Sequence, residues 1–472
     1  MDPIESLLAG TVTRREILKR SGASGLGLAL GGSLLAACGG DDDDEESGAP
    51  GAGEPVVLWT SHTNPDLATL RTMVDGYNAT RPPGRVKLVS VTGDETDIAK
   101  LTAAVRGGKG PDIYMLDRFT VAQRAEQGIL LELTEFMEQD EGAGSYKDRY
   151  LDFAWAEVEF EGKPYALPFD TDARGLWYNA QLLRKAKVDP AELDPDNGPV
   201  TVDRLREIAR MLDVTDDSGQ YSQVGFIPWY DQGWHFTWGF AFGGEFFDEG
   251  SCEVTPTNAG VVAGLQFVQD WANEMDPEKA QSFLATVAQC TGPMTCPPTA
   301  PQQWPFITQK LAMVVTGDWP IKWVSEFAKD LDYGVTFIPV PTEGAESATW
   351  AGGWSLVIPT GAKNPEGAWK LMQWFAGTEG QRRYSVGTAH LPTLKELVDD
   401  DSLFDEQHQF FRELLDVARN RPPLPVGALY WDELTVAQEA VVLNRKSPAD
   451  ALEQVASRVQ PQLQEFCPLE VA

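Results

Sequence analysis

Hydrophobic and polar positions in residues 55–120 switch between two periods. Residues 56–59 form an apolar run, 66–77 carry apolar residues at helical spacing, 86–91 alternate, 96–105 are helical again, and 113–116 read as a buried strand. Strand, helix, strand in that order implies a parallel sheet with helices on its faces. Ligands of such sheets sit beyond the carboxyl ends of the strands. That nominates Ser61, His62 and Thr63 after the first strand, and Asp117 with Arg118 after the third. The run Gly107-Gly108-Lys109-Gly110-Pro111 enters a strand instead of leaving one, which disfavours a dinucleotide or a nucleoside triphosphate.

The pattern changes at residues 165–179, where an apolar strand, a proline stop, two aspartates, an arginine and an aromatic pair share one short connection. We read it as a crossing between two lobes, entered through a hairpin at 158–165, with Asp170, Asp172 and Arg174 facing the cleft. Beyond it 180–187 is helical, Thr201 caps a helix with Leu205, Ile208 and Leu212 on one face, and 229–238 is an aromatic centre. A buried strand at 311–316, the turn Gly317-Asp318-Trp319-Pro320, a helix to Lys329 and a strand at 333–339 repeat the geometry of the first lobe. Trp350-Ala351-Gly352-Gly353-Trp354 is the expected return crossing, its two glycines marking a close backbone approach to a ligand or to the hinge. Helices at 365–375, 403–417, 430–443 and 448–466 finish the chain. The expected fold is α/β and two-lobed, each lobe a mostly parallel sheet flanked by helices, with a ligand cleft at the hinge. Residues 55–169 and 352–398 form the expected first lobe, 170–351 and 399–472 the second.

Composition adds an address. Thr13-Arg14-Arg15-Glu16-Ile17-Leu18-Lys19 precedes an apolar, glycine-rich run too short to remain as a membrane span, so residues 1–37 read as an export signal. The arginine pair resembles a twin-arginine signal, and Leu35-Ala36-Ala37-Cys38 resembles a lipobox, which makes Cys38 the expected lipidation site and a membrane anchor. Residues 38–54 then form an acidic, flexible tether. A net charge of -33 argues against nucleic acid and for a self-repelling, monomeric surface. Cys252, Cys290, Cys296 and Cys467, an even number in an oxidising compartment, predict two disulfides among three possible pairings. Their spacing matches no zinc pattern, and His62, His235, His390 and His408 include no His-Glu-x-x-His, so neither a metal nor a cofactor is expected.

Several stretches together resemble the extracellular solute-binding proteins of ABC importers, in their carbohydrate-binding branch. They are Gly110-Pro111-Asp112-Ile113 through Asp117-Arg118-Phe119, the 164–179 segment, 310–319, and Gly352-Gly353-Trp354 with Ala362-Lys363-Asn364-Pro365-Glu366-Gly367-Ala368-Trp369. The resemblance covers nearly all of the chain beyond the tether. It implies a cleft that closes on a sugar and presents it to a membrane permease. Asp117 and Arg118 match a cleft pair, Asp172 a cleft acid and Trp319 a stacking tryptophan, while Trp229 or Tyr230 and Tyr430 or Trp431 fall near further stacking aromatics. Ser61-His62-Thr63 departs from the acid and lysine of the family's maltose binders.

Sugars offer apolar C–H faces and a rim of hydroxyls, so their sites combine flat aromatic rings with planar polar groups. The candidate site is therefore Ser61, His62, Asp117, Arg118, Asp172, Arg174, Trp229, Tyr230, Asp318, Trp319, Gly353, Trp354 and Trp431. Plainer roles compete with this: Asp172 and Arg174 can pair with each other, and Asp117 can cap the helix that follows it. Two other functions compete as well. One is an exported glycoside hydrolase using Asp170 with Asp172, or Glu245 with Asp248. The other is the same fold binding a polyamine, peptide, phosphate or iron.

Overall fold

The computed structural model describes residues 54–91, 99–140, 142–296 and 300–469. Cys38, the export signal, the tether up to residue 53 and the start of the helix expected at 96–105 lie outside them.

Two main apolar cores organise the fold. The first packs Leu58, Leu116, Phe169, Leu356, Met372 and Tyr384 around a five-stranded sheet, ordered Val86–Ser90, Val56–Thr60, Ile113–Asp117, Trp354–Val357, Ala166–Pro168. The second packs Trp177, Leu205, Trp238, Val314 and Phe411 around a three-stranded sheet, Met313–Thr316, Gly175–Asn179, Tyr333–Thr336. A third cluster, with Phe236, Trp350, Tyr430 and Leu452, joins the C-terminal helices Gly427–Val442 and Pro448–Leu463 to the second lobe's aromatic centre.

Each of the two sheets carries one reversed strand. In the first lobe four of the five strands share one direction and Trp354–Val357 is reversed, and in the second lobe Gly175–Asn179 is antiparallel to both of its neighbours. The reason is insertion. Met313–Thr316, the helix Pro320–Phe327 and Tyr333–Thr336 form the expected strand, helix, strand crossover. Gly175–Asn179, laid down earlier in the chain, slots antiparallel between its two strands. In the first lobe Trp354–Val357 enters in the same way, antiparallel both to Ile113–Asp117 and to Ala166–Pro168, so that Ala166–Pro168 points along the first three strands.

Between the two lies a four-stranded sheet ordered Leu391–Pro392, Asp170–Ala173, Thr349–Gly352, Ala418–Asn420, built where the chain passes from one lobe to the other. The two glycines allow it to form. A Cβ on Gly352 would come within 2.8 Å of both Asp172 and Arg174, and Gly353, at φ +127°, would strike Arg118. Other marks of the resemblance are structural too. Asp112 accepts from the backbone N–H of Val57, Lys363 and Asn364, and Asn364 caps the helix Pro365–Phe375, so the Gly-Pro-Asp stretch fastens the sheet to a helix distant in sequence.

Both disulfides form. Cys252 pairs with Cys467, tying a hairpin to the segment after the last long helix, and Cys290 pairs with Cys296 to close the short loop between them.

Candidate ligand-binding site between the lobes

One end of the crossing sheet is a braced set of ion pairs. Asp117, at the end of its strand, receives both guanidinium arms of Arg421, at 2.8 and 3.3 Å, and its Oδ1 also caps Phe119 N at 3.4 Å. Arg118 is fully buried. Its Nε donates to Glu157 Oε2 at 2.9 Å, and its two terminal nitrogens donate to the carbonyls of Asp170 and Gly352. Arg174 donates to Asp172, reaches Gln232 Oε1 at 3.2 Å and lies 3.4 Å above the Trp350 ring centroid. Burial opposes ionisation of Asp172, but Arg174 beside it prevails and holds the carboxyl below its ordinary range. Arg421 lies 4.0 Å from the Phe119 ring, 4.8 Å from Trp350 and 5.6 Å from Trp431.

The other end is a carboxylate cluster around His390. The imidazole Nδ1 lies 3.5 Å from Asp318 Oδ1 and Nε2 lies 3.9 Å from Asp66 Oδ2, while the ring stacks on Tyr384. Asp170 is close by, its Oδ1 accepting from Trp354 N at 2.6 Å. Burial would lower the His390 pKa, yet the charges of Asp66, Asp170 and Asp318 raise it to about 10. Burial pushes Asp170 and Asp318 each up to about 7. His62 is also buried, between Thr60 Oγ1 at 2.7 Å and the Tyr384 hydroxyl at 3.3 Å, and burial lowers it to about 4.

Four half-buried tryptophans border these charges. Trp319 lies 5.6 Å from His390, Trp354 lies 4.4 Å from His62, and Trp234 and Trp431 face each other at 5.2 Å. Gly317 is needed here, because a Cβ on it would collide with the Trp319 ring.

The structure therefore gathers His62, Asp117, Arg118, Asp172, Arg174, Asp318, Trp319, Gly353 and Trp354 along one seam, with Ser61 half-buried at its edge and Trp431 at the braced end. Two candidates fall elsewhere. Trp229 and Tyr230 keep only 3% and 4% of their surface exposed in the second core, because the 227–233 turn folds inward to pack on Trp238 and its neighbours. Trp234, a few residues on, is the half-buried ring. Among the rest, the backbone of Gly353 lies against Arg118, and Asp172 is paired with Arg174. Sequence reasoning missed Arg421, His390, Asp66, Gln232 and Trp234. Arg421 and His390 each follow or open a strand of at most three residues, too short to leave a periodic signal.

The hydrolase candidates fall in different surroundings. Asp172 is held by Arg174, and Glu245 and Asp248 are exposed beside a surface hairpin.

Two α/β lobes joined by a crossing sheet, with aromatic and charged groups lining the seam, make up a two-lobed binding-protein architecture. Residues 60–382 match the family model of bacterial extracellular solute-binding proteins, and the chain belongs to that family. It is 22% identical over 404 residues to the maltotriose-binding protein of Pyrococcus abyssi, covering 84% of this chain and 79% of that one. With the galactooligosaccharide-binding protein of Bacillus subtilis it shares 22% identity over 370 residues, covering 75% and 78%. Its fold is that of the mannotriose-bound structure of CpMnBP1, with a TM-score of 0.76 at 21% identity over 86% of this chain and 100% of that one.

Proposed function

We propose that the protein captures a di- or oligosaccharide between its lobes and delivers it to an ABC permease. The observation that carries this is the pairing, along one interlobe seam, of four half-buried tryptophans with buried aspartates and arginines. The rings supply stacking faces, and the charged groups supply strong hydrogen bonds to hydroxyls. Closure follows from contacts made to both lobes at once: Trp354 belongs to the first sheet and Trp319 to the second lobe, so a ligand touching both favours the closed state. Relatives named for maltotriose and galactooligosaccharide binding support the same substrate class.

The mature protein begins at Cys38, lipid-anchored to the outer face of the cytoplasmic membrane, and acts as a monomer without catalysis. Glu245 and Asp248 lie on the surface and Asp172 is neutralised by Arg174, which supports binding over hydrolysis. A thermal-shift screen with mono-, di- and trisaccharides, polyamines and peptides tests the proposal. Ligand at about a hundredfold excess over Kd stabilises the native state by about 2.7 kcal/mol. A selective shift with one sugar family is expected, with no reducing sugar released on long incubation. A shift with spermidine or a peptide alone overturns the sugar assignment.

A further inference from the structure

The His390 end of the seam carries more carboxylates than cations. Asp66 comes from the first lobe's helix Asp66–Ala79, Asp170 from the crossing strand and Asp318 from the turn that opens the second lobe's helix, and all three surround one imidazole. The neighbouring arginines are committed elsewhere: Arg118 to Glu157 and two carbonyls, Arg174 to Asp172 and Gln232, Arg421 to Asp117. His62 adds no charge, since burial keeps it neutral. The surplus is visible atom by atom. Asp66 Oδ1 and Asp170 Oδ2 are buried and accept no hydrogen bond from the described residues, and the buried Asp318 Oδ1 has only the His390 imidazole, 3.5 Å away, for company; Asp170 and Asp318 are 1% and 0% exposed.

Buried carboxylate oxygens without partners are unfavourable and call for a donor, best a charged one. Of the groups around the imidazole, Asp66 keeps about a fifth of its side chain exposed and Trp319 is half-buried, so these two are the ones that border solvent. A ring face next to carboxylates suits a cation attached to an apolar body. A metal ion suits it less well: among the described residues no three His, Cys, Asp or Glu side chains converge closely enough to hold one.

Resting on the sugar-capture reading above, we propose that this end of the seam is an anionic subsite for a sugar bearing a protonated amine, the ammonium answering a free oxygen of Asp66, Asp170 or Asp318 and the ring lying against Trp319. A neutral hydroxyl donates to one or two of the free oxygens but leaves their charge in place, whereas an ammonium answers both. Its charge also lowers the pKa of Asp170 and Asp318, which burial holds near 7, so binding the amine at neutral pH releases protons to the buffer.

The test is titration calorimetry of the purified full chain with matched trios: glucosamine, glucose and N-acetylglucosamine, and the β-1,4-linked disaccharide of each, with the galacto and manno counterparts and spermidine alongside. In at least one trio the free amine is expected to bind about tenfold tighter or more than its hydroxyl parent. Its binding heat should vary with the ionisation enthalpy of the buffer. Asp318→Asn and Asp170→Asn, each checked for an intact fold by circular dichroism, should bring the ratio of amine to parent affinity toward one. If every sugar that binds does so equally well as the hydroxyl or N-acetyl form, the subsite proposal fails while sugar capture stands. Spermidine binding without any sugar removes sugar capture and with it this subsite, and silence across all probes discards both.

Discussion

The two ends of the interlobe seam are built from the same residue types and reach opposite electrostatic outcomes. At the Arg421 end, Asp117, Glu157 and Asp172 face Arg421, Arg118 and Arg174, one guanidinium to each carboxylate. At the His390 end, Asp66, Asp170 and Asp318 share a single imidazole. The first arrangement behaves as a brace: its arginines also tie down the carbonyls of Asp170 and Gly352 and the side chain of Gln232, fixing the strands that cross between the lobes. The second leaves acceptors open. The difference is between charges that are spent on holding strands in place and charges whose acceptors stay free.

The largest effect should come from breaking the brace. Arg118→Met keeps most of the side chain's volume but strands Glu157 and two carbonyls in a fully buried site. Removing one partner of a buried pair costs about 3–5 kcal/mol, to be read from denaturant unfolding. A loss below about 1 kcal/mol would mean that the frame is held by the strands alone and that the contrast between the two ends is not one of rigidity.

On the open side the expected effect falls on ligand, not fold. Trp319→Ala removes a half-buried ring that sits on Gly317 and lies next to His390. Affinity should fall by about 2 kcal/mol or more, as for a stacking anchor, with the unfolding midpoint nearly unchanged. Unchanged affinity would take Trp319 out of the site and move the stacking role toward Trp234 and Trp431.

Much of this was legible from residues alone, and the boundary of what was not has a physical basis. The crossing at 165–179 and the return at 350–354 carry local marks: a proline stop, an Asp-x-Asp-x-Arg run, paired glycines. So do the helix capped at Thr201 and the Gly317 turn. Strand direction did not, because Gly175–Asn179 joins partners more than 130 residues away and nothing in its own pattern records their polarity. The same holds for the charges. The Asp172–Arg174 pair is two residues long and readable, whereas Asp117 meets Arg421 across 304 positions and His390 meets Asp66 and Asp318 only in the folded chain. Trp229 and Tyr230 pack into the second core, which their run did not announce, because an aromatic run states that rings are present and not which of them points inward.

The finest test of the contrast is the pH dependence of stability, taken without ligand. The Asp170 carboxyl, pushed up to about 7 by burial, keeps its proton in the folded state through a range in which the unfolded chain, with an ordinary aspartate near 3.8, has already lost it. Its contribution is therefore fully present below about pH 4 and is lost as pH rises to about 7. Asp318, raised to about 7 as well, acts in the same direction, and His390, raised from 6.5 to about 10, extends the decline on the alkaline side. Asp172, held below its ordinary value, works the opposite way: its stabilisation is present above about pH 4 and is lost as pH falls. Asn at position 170 imitates the protonated acid at every pH. Asp170→Asn should match the wild type below pH 4 and exceed it by about 1–2 kcal/mol at pH 8, part of the roughly 4 kcal/mol that a full three-unit shift would supply. Urea unfolding at pH 4, 6 and 8 reads this directly. A variant less stable than the wild type at pH 8 would show that Asp170 works as an ionised partner of His390, and that the open end of the seam is more nearly balanced than its free oxygens indicate.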